Sequence, residues 1–224
     1  TENRAKVEKM SDGRVAYIYI PNTHAAGQAR FVREFYAQVG KDGAVLDERY
    51  NGGGWLADQV IDHCIRPIRN YIAGRDGDDI VIPRGIFGPK AMIINESAGS
   101  GGDYMPYTFR EAKAGKLIGT RTWGGLVGIG GYPPLIDGGT VTAPHWALWF
   151  PNGKWDVENK GVAPDIEVEE DPKAWRLGKD PQLERAVEHV MAELKANPPK
   201  KPKRPAYPDY FKGGKVPGVR GLEE

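Results

Sequence analysis

The chain has 224 residues, enough for one large domain or two small ones and for a core that needs no disulfide. Its 31 Lys and Arg residues nearly balance its 30 Asp and Glu residues, so no overall field attracts nucleic acid or an anionic membrane surface, and we expect neither partner. No window approaches the ~20 consecutive apolar residues of a membrane-spanning helix. The single cysteine, Cys64, leaves the compartment open, and a chain that begins with Thr1 is expected to be a fragment or a processed product.

The first half of the chain alternates between strand and helix patterns. Residues 14–21 carry apolar side chains on both faces and end in a proline, which predicts a strand. Further short apolar runs predict strands at 44–47, 89–94 and 116–119. Helical spacing predicts helices at 27–39, 56–72 and 100–114, and Pro67 is expected to kink the second of them. Because parallel strands need crossover connections, this alternation predicts an α/β fold with a mostly parallel sheet and flanking helices.

The composition changes after residue 124. Gly-rich turns separate β-branched and aromatic runs at 140–143 and 146–150, which predict antiparallel hairpins and a β-rich second half. Asp180 and Pro181 supply an N-cap and a first-turn proline for a last helix at 182–196, whose apolar stripe should pack on the core.

These patterns divide the chain into two parts. We predict a folded domain over residues 1–196. Residues 197–224 are rich in Pro and Lys and lack periodicity, which is typical of a solvated tail. The alternative is an arm that docks Tyr207, Tyr210 and Phe211 on a neighbouring subunit.

The segment 94–103 (INESAGSGGD) runs from a strand end through small residues into a helix. A serine at such a turn, here Ser100, projects its hydroxyl above the sheet, and the N–H groups of the helix N-terminus can stabilise an oxyanion. This arrangement is typical of an acyl-transfer nucleophile. The G-x-S-x-G elbow matches only in part, because Ala98 occupies its first glycine position, and an ordinary N-capping serine is the alternative.

A second Gly-rich turn, NGGG at 51–54, follows the strand predicted at 44–47. In a parallel sheet this turn lies at the same carboxyl edge as Ser100, so both turns are expected to face one site. The backbone N–H groups of its glycines are not shielded by side chains, so they can donate hydrogen bonds to a negatively charged oxygen. A nucleotide phosphate loop is excluded, because no Lys-Ser or Lys-Thr pair follows.

Five segments occur in one order between about Val15 and Leu194: RYNGGG, NESAGSGGD, GKLIGTRTWGGLVGI, VENKGVAPDIEVE and GKDPQLERAV. Together they resemble the C-terminal catalytic domain of the tricorn and tail-specific serine peptidase family. The resemblance implies a Clp protease-crotonase type fold, peptide-bond hydrolysis through a serine acyl-enzyme, and neither metal nor cofactor. It also implies a peptide substrate, homo-oligomers, and upstream helical and PDZ-like domains on the same polypeptide, and it favours a cytoplasmic location.

The resemblance also implies roles for individual residues. Ser100 matches the nucleophile, and the N–H of Gly101, where tricorn has an aspartate, matches one oxyanion donor. Gly53 or Gly54 in the glycine turn matches the second donor. Glu158 matches the glutamate that orients the catalytic apparatus on the side facing the histidine, whereas its sequence context alone indicates an ordinary surface acid.

A serine hydroxyl needs a base to become a good nucleophile. By resemblance, the tail-specific enzymes use a lysine 25 residues after the serine, where this chain has Gly125, so the resemblance excludes Ser-Lys chemistry. Tricorn types take a histidine from a separate N-terminal helical domain, and we expect the base to come from outside this chain. His24, just beyond the first strand, is the alternative base. The remaining histidines are expected to be structural or on the surface, namely His63, His145 and His189.

Other residues suggest chemistry less strongly. Cys64 follows His63, but no further ligands complete a zinc site, so we expect a buried apolar cysteine. Four tryptophans are expected to lie in the core rather than to line a peptide groove, namely Trp123, Trp146, Trp149 and Trp155. Two other functions remain open: a crotonase-like acyl-CoA enzyme, in which Ser100 and Glu158 have no role, and a non-catalytic peptide-binding domain.

Overall fold

The computed structural model describes residues 2–200 and 202–207. In chain order, the helices and strands of these residues are α1 (Glu2–Met10), β1 (Val15–Tyr19), α2 (Ala25–Tyr36), β2 (Gly43–Asp47), α3 (Ala57–Ile65), β3 (Asn70–Ile72), β4 (Ile80–Ile82), β5 (Lys90–Ile94), α4 (Gly101–Glu111), β6 (Lys116–Gly119), β7 (Gly128–Ile129), β8 (Pro144–Trp146), β9 (Ile166–Glu167), α5 (Pro172–Arg176) and α6 (Pro181–Ala196).

The central sheet has five strands in the order β1-β2-β5-β6-β9, and every neighbouring pair is parallel. The predicted strand-helix-strand alternation is therefore confirmed. The strand ends are in register, with Tyr19 beside Asp47 and Ile94 beside Gly119. As a result, the segments that follow β1, β2 and β5 meet at one carboxyl edge of the sheet, where α/β proteins place their sites.

Helices cover both faces of this sheet. On one face, α2, α3 and α4 pack against Ile18, Leu46 and Met92, and their fully buried side chains include Phe31 and Phe109. On the other face, α1 and α6 form a second apolar cluster with the opposite side chains of the strands. The alternating faces predicted for the first strand are confirmed, since consecutive strand residues point to opposite clusters.

The two terminal helices differ in how readily the sequence predicts them. Helix α6 forms as expected, and the Asp180 carboxylate accepts a hydrogen bond from the N–H of Leu183 at 3.0 Å. Helix α1 was not predicted, because its one buried residue is Val7 and it has almost no apolar stripe.

The helix predicted at 56–72 ends early. Helix α3 stops at Ile65, and residues 70–72 form strand β3, which pairs antiparallel with β4. The cause is Pro67: the residue before it, Arg66, is extended with φ −59° and ψ 131°, as the proline ring requires. The proline therefore terminates the helix instead of kinking it.

The second half contains less strand than its composition predicts. Of residues 124–153, only the short antiparallel pair β7 and β8 is regular, and the run at 140–143 forms no strand. Of the two runs, only Trp146 at the start of the second pairs with a strand, namely β7, and two-stranded ribbons of this length are at best marginally stable by themselves.

The tail predicted at 197–224 lies only partly within the described residues. Residues 197–200 and 202–207 form neither helix nor strand. Within them, Arg204 pairs with Asp79 and the Tyr207 hydroxyl donates to the carbonyl of Gly74 at 3.2 Å, so this part contacts the turn between β3 and β4 of its own chain. Tyr210 and Phe211 fall outside the described residues, and the division at residue 196 stays a prediction. No helix in the described ranges is long and apolar enough to cross a membrane.

Candidate active site

Ser100 lies at the carboxyl edge of the sheet, at the turn between β5 and α4. Its φ of 56° and ψ of −115° are unusual for a residue with a side chain, and such strain tends to be stored at functional sites. Its N–H donates to the carbonyl of Gly125 at 3.0 Å and to the Asp103 carboxylate at 2.9 Å. The predicted turn is therefore present, and these two hydrogen bonds fix the backbone of Ser100.

The glycine turn at 51–54 lies directly against Ser100. A Cβ atom added to Gly53 would lie 2.7 Å from the Ser100 Cβ, 3.0 Å from its Oγ and 3.1 Å from the Gly101 nitrogen. Gly53 and Gly54 also have φ values of +91° and +134°, which side chains rarely adopt. The structure thus brings together the two turns that the sequence predicted to face one site.

The amides at this point differ in what they bind. The N–H of Gly53 donates to the Asn51 side chain at 2.9 Å. Within the described part of the chain, the N–H groups of Gly54 and Gly101 donate no hydrogen bond. A Cβ on Gly101 would lie 2.7 Å from the Gly54 nitrogen, so these two amides are close neighbours. Of the two glycines considered as second donor, Gly54 has the available amide.

Glu158 binds the wall of the site and not Ser100. One of its carboxylate oxygens accepts hydrogen bonds from the N–H groups of Leu126 at 2.6 Å and Val127 at 2.7 Å. It therefore holds the segment 124–127, which follows β6 and whose Gly125 carbonyl binds the N–H of Ser100.

Asp103 holds the same segment from the other side, and its role was not predicted. It is fully buried and accepts hydrogen bonds from the N–H groups of Gly124 at 2.7 Å, Gly125 at 3.0 Å and Ser100 at 2.9 Å. Burial raises the pKa of the Asp103 carboxyl, while the hydrogen bonds it accepts oppose that shift. An acid three residues after the serine that precedes a helix has the spacing of a capping box. This spacing between Ser100 and Asp103 was the sequence signal that could have indicated the role of Asp103.

Two buried polar residues, Asn51 and Glu48, hold the glycine turn in place. The backbone carbonyl of Asn51 accepts from the N–H of Gly99, next to Ser100, at 3.1 Å, so this residue ties the two turns together. Its side-chain amide donates to Glu48 at 3.1 Å. Glu48 is fully buried, and burial together with the nearby carboxylates of Asp103 and Asp47 raises its pKa well above the ordinary range.

Arg49 connects two sequence segments that lie far apart. Its buried guanidinium contacts the carboxylates of Asp47 at 2.7 Å and Asp180 at 2.8 Å. These contacts join the RYNGGG segment to the GKDPQLERAV segment. The N-cap of α6 is therefore bonded to the residues that lead into the glycine turn.

A cavity of about 420 Å³ opens beside Ser100. His24 lies at its rim as an exposed residue at the N-terminus of α2, so the structure places it at the same edge as Ser100, as predicted. A larger cavity of about 900 Å³, at the start of β5 and beside Tyr71, contains none of the predicted site residues.

The tryptophans expected in the core lie on the surface. Their exposed fractions are 70% for Trp123, 38% for Trp146, 64% for Trp149 and 66% for Trp155. The segment 124–165 buries other apolar side chains in the core instead, namely Leu126, Phe150, Val157 and Val162. Trp146 belongs to the cavity beside Ser100, where its ring centroid lies 5.2 Å from that of Trp55.

The remaining candidates are structural. Cys64 is buried as predicted, and burial raises the pKa of its thiol to about 12. His63 packs edge-on against Phe31 and Phe35. The described residues contain no group of three His, Cys, Asp or Glu side chains that could hold a metal ion.

Comparison with known proteins gives consistent matches. Tricorn protease from Thermoplasma volcanium is 39% identical over 194 residues, which are 86% of this chain and 19% of that protein. Tricorn protease homolog 1 from Streptomyces coelicolor is 35% identical over 202 residues, 90% of this chain and 19% of that protein. The crystal structure of the tricorn protease matches with a TM-score of 0.82 and 39% identity over 87% of this chain and 19% of that one.

The chain thus spans about a fifth of the length of these relatives. The family model described as peptidase family S41 matches residues 14–168. This range includes Ser100, both Gly-rich turns and Glu158. Since the match covers more than half of the chain, the chain belongs to peptidase family S41.

Proposed function

We propose that this chain supplies the nucleophile and the oxyanion hole of a tricorn-type serine peptidase. The supporting observation is that the glycine turn lies directly against Ser100: a Cβ added to Gly53 would lie 3.0 Å from the Ser100 Oγ and 3.1 Å from the Gly101 nitrogen. In this proposal a substrate carbonyl carbon faces Ser100, and its oxygen lies in non-bonded contact with Gly53 and receives hydrogen bonds from the free amides of Gly54 and Gly101. Donors within about 3 Å of a developing oxyanion are a major source of rate enhancement.

The reaction follows from this arrangement. Oγ of Ser100 forms a bond to the carbonyl carbon as its proton passes to the base, and the oxyanion is held by the two amides. The carbon–nitrogen bond then breaks, the base returns the proton to the leaving amine, and an acyl-ester remains on Ser100. Water, deprotonated by the same base, attacks that ester, the bond between the acyl carbon and Oγ of Ser100 breaks, and the base returns the proton to Oγ as the acid leaves.

The base in this proposal is a histidine of an upstream helical domain on the same polypeptide. The exposed His24 is the alternative within this chain, because it lies at the cavity rim. Glu158 acts as a positioning residue, since its hydrogen bonds fix the wall segment 126–127. Upstream helical and PDZ-like domains and a homo-oligomer complete the proposed assembly, and the substrate is an oligopeptide or an unfolded chain.

Replacement of Ser100 tests the proposal in the complete protein. Ser100→Ala should lower peptide hydrolysis by about 10³-fold or more and abolish labelling by a fluorophosphonate, because the nucleophile is lost. Ser97→Ala is the control: Ser97 is exposed three residues earlier and should retain both. Activity of Ser100→Ala at a tenth of wild type would exclude this serine as nucleophile. Absence of fluorophosphonate labelling in the unmodified protein would favour a non-catalytic peptide-binding domain.

A further inference from the structure

Thr23, in the loop between β1 and α2, packs against both glycines whose amides are free. It is 1% exposed, and its side chain faces Gly101. A Cβ added to Gly101 would lie 2.3 Å from the Thr23 Oγ1 and 2.7 Å from the Gly54 nitrogen. A Cβ added to Gly54 would lie 2.5 Å from the Thr23 carbonyl oxygen. Thr23 does not line the cavity beside Ser100, so any effect it has on the reaction passes through these two glycines.

The backbone of Thr23 holds the peptide group that carries the Gly54 amide. Its N–H donates to the Gly53 carbonyl at 2.8 Å, and its carbonyl accepts from the N–H of Leu56 at 2.9 Å. The Gly53 carbonyl and the Gly54 N–H belong to one planar peptide group, so the first bond fixes the plane in which this N–H lies. A hydrogen bond accepted by the oxygen of a peptide group also polarises its N–H, which makes the N–H a stronger donor.

The side chain of Thr23 carries a hydroxyl that is not used in this structure. Within the described residues, the buried Thr23 Oγ1 has no hydrogen-bond partner. An unpartnered buried hydroxyl costs free energy that a valine of the same shape would avoid. The Gly54 carbonyl also accepts no hydrogen bond from the described part of the chain, and its oxygen would lie 2.4 Å from the same Cβ added to Gly101. A donor and an acceptor without partners therefore lie beside one Cα atom.

Hydrogen bonds that support catalysis are often long or misaligned in the free protein and tighten in the transition state. We propose that Thr23 is a positioning residue of the oxyanion hole: its N–H fixes the Gly54 amide, and its hydroxyl donates to the Gly54 carbonyl when an oxyanion occupies the hole. Gly54, whose φ is +134°, is then held at the peptide groups on both sides of its Cα. This inference rests on the proposed function, to which it adds a residue that orients the donors.

Thr23→Val in the complete protein removes the hydroxyl and keeps the shape of the side chain. It should lower kcat for peptide hydrolysis about ten-fold or more and leave KM within about two-fold, because the lost hydrogen bond forms only in the transition state. The midpoint of thermal unfolding should equal or exceed that of wild type, since the hydroxyl has no partner in the free protein. A residue that only packs would give the opposite pair of results.

Thr23→Ser makes the reverse change, because it keeps the hydroxyl and removes a buried methyl group. It should retain kcat within about three-fold while its thermal midpoint falls. Thr108→Val is the matched control: the Thr108 hydroxyl donates to the Tyr104 carbonyl within α4 at 2.9 Å, and its removal should leave kcat unchanged. Full kcat in Thr23→Val, or equal losses of kcat in the Val and Ser variants, would overturn the inference.

A peptide boronate gives a second readout, because its adduct with Oγ of Ser100 is tetrahedral and places an oxygen in the oxyanion hole. Its inhibition constant should weaken in Thr23→Val by the same factor as kcat/KM falls. Peptide binding to the Ser100→Ala protein should be equal with and without Thr23→Val. Hydrolysis by the unmodified protein that Thr23→Val fully retains contradicts this inference alone. An unmodified protein that neither cleaves peptides nor binds the boronate contradicts the proposed function and this inference with it.

Discussion

At the scale of single residues, Gly53 is required by its neighbour across the cleft. A side chain there would touch both the Cβ and the Oγ of Ser100, whereas a Cβ on Gly52, one residue earlier, meets nothing within 4 Å. Two adjacent glycines of one turn therefore have different consequences when substituted. The contrast provides an internal control for the proposed oxyanion hole.

Gly53→Ala should lower the turnover of the complete protein by about 10²- to 10³-fold, since the new methyl group would contact the Ser100 side chain and narrow the space proposed for the substrate carbonyl. Gly52→Ala should retain turnover. Because the φ of Gly53 is +91°, the alanine also strains the backbone, so thermal unfolding is measured beside the kinetics. A loss of activity that merely follows the loss of folded protein would indicate a tight turn without a catalytic role.

Glu48 is a second residue whose environment permits a sharp prediction. Its folded-state pKa lies above the ordinary 4.5, so below pH 4.5 the carboxyl is protonated in both states. As the pH rises, the unfolded chain releases this proton first, and the free energy of unfolding falls by up to about 1.4 kcal/mol per pH unit until the folded-state pKa is reached. The group therefore stabilises the fold at low pH, and this contribution is lost toward neutral pH.

Glu48→Gln removes this titration and keeps the shape of the side chain. Its free energy of unfolding relative to wild type should increase between pH 5 and pH 8 by about 1 kcal/mol or more, measured by urea denaturation. Glu169→Gln, at an exposed position, should give a difference that is constant over the same range. Parallel stability curves for Glu48→Gln and wild type would contradict a raised pKa.

At the scale of elements, the segment 124–127 depends on two acids for its position. Asp103 in α4 binds its first two amides, and Glu158 binds its last two. Neither β-pairing nor helical bonds hold these residues, so their N–H groups donate to side chains from elsewhere in the chain. The segment forms both the support of the Ser100 N–H and one wall of the cavity.

Glu158→Ala should lower kcat/KM for peptides by about ten-fold or more, because it leaves the N–H groups of Leu126 and Val127 without their acceptor. Glu158→Gln should recover much of the loss, since an amide oxygen still accepts these bonds. Glu169→Ala, at an exposed acid, is the control and should be neutral. Equal inactivity of the Gln and Ala variants would instead indicate that the negative charge of Glu158 acts on the base.

At the scale of the whole molecule, the described residues hold a complete three-layer core but only part of the proposed catalytic group. Both faces of the sheet are covered by helices, and the candidate nucleophile and oxyanion amides share one edge. The chain spans about a fifth of its relatives' length. In the function proposed above, this unit folds by itself and its base comes from outside the chain.

We therefore expect the isolated 224-residue chain to unfold cooperatively but to react with a fluorophosphonate far more slowly than the complete protein. Addition of the upstream helical segment should restore labelling of Ser100 if the two pieces reassemble. Labelling of the isolated chain at the full rate would indicate a base within it. His24→Ala would then be the first variant to examine, and His145→Ala the next.

The sequence by itself determined the features that depend on local patterns. Apolar periodicity identified β1, β2, β5 and β6 and the helices between them, because a strand buried on both faces leaves a short continuous apolar run. Parallel order then placed the glycine turn and Ser100 at one edge, since all carboxyl ends of a parallel sheet coincide. The five segments that resemble the family, found in one order along the chain, were sufficient to indicate it.

Only the tertiary structure decided features that depend on contacts between distant residues. The choice of Gly54 over Gly53 as the free amide depends on Asn51, and the bond of Arg49 to Asp180 joins residues 131 positions apart. Likewise, the exposure of Trp146 depends on what packs around it. The periodicity of apolar residues indicates which side of a helix or strand is buried. Hydrogen-bond partners and the positions of aromatic rings depend instead on how helices and strands from distant parts of the chain pack together.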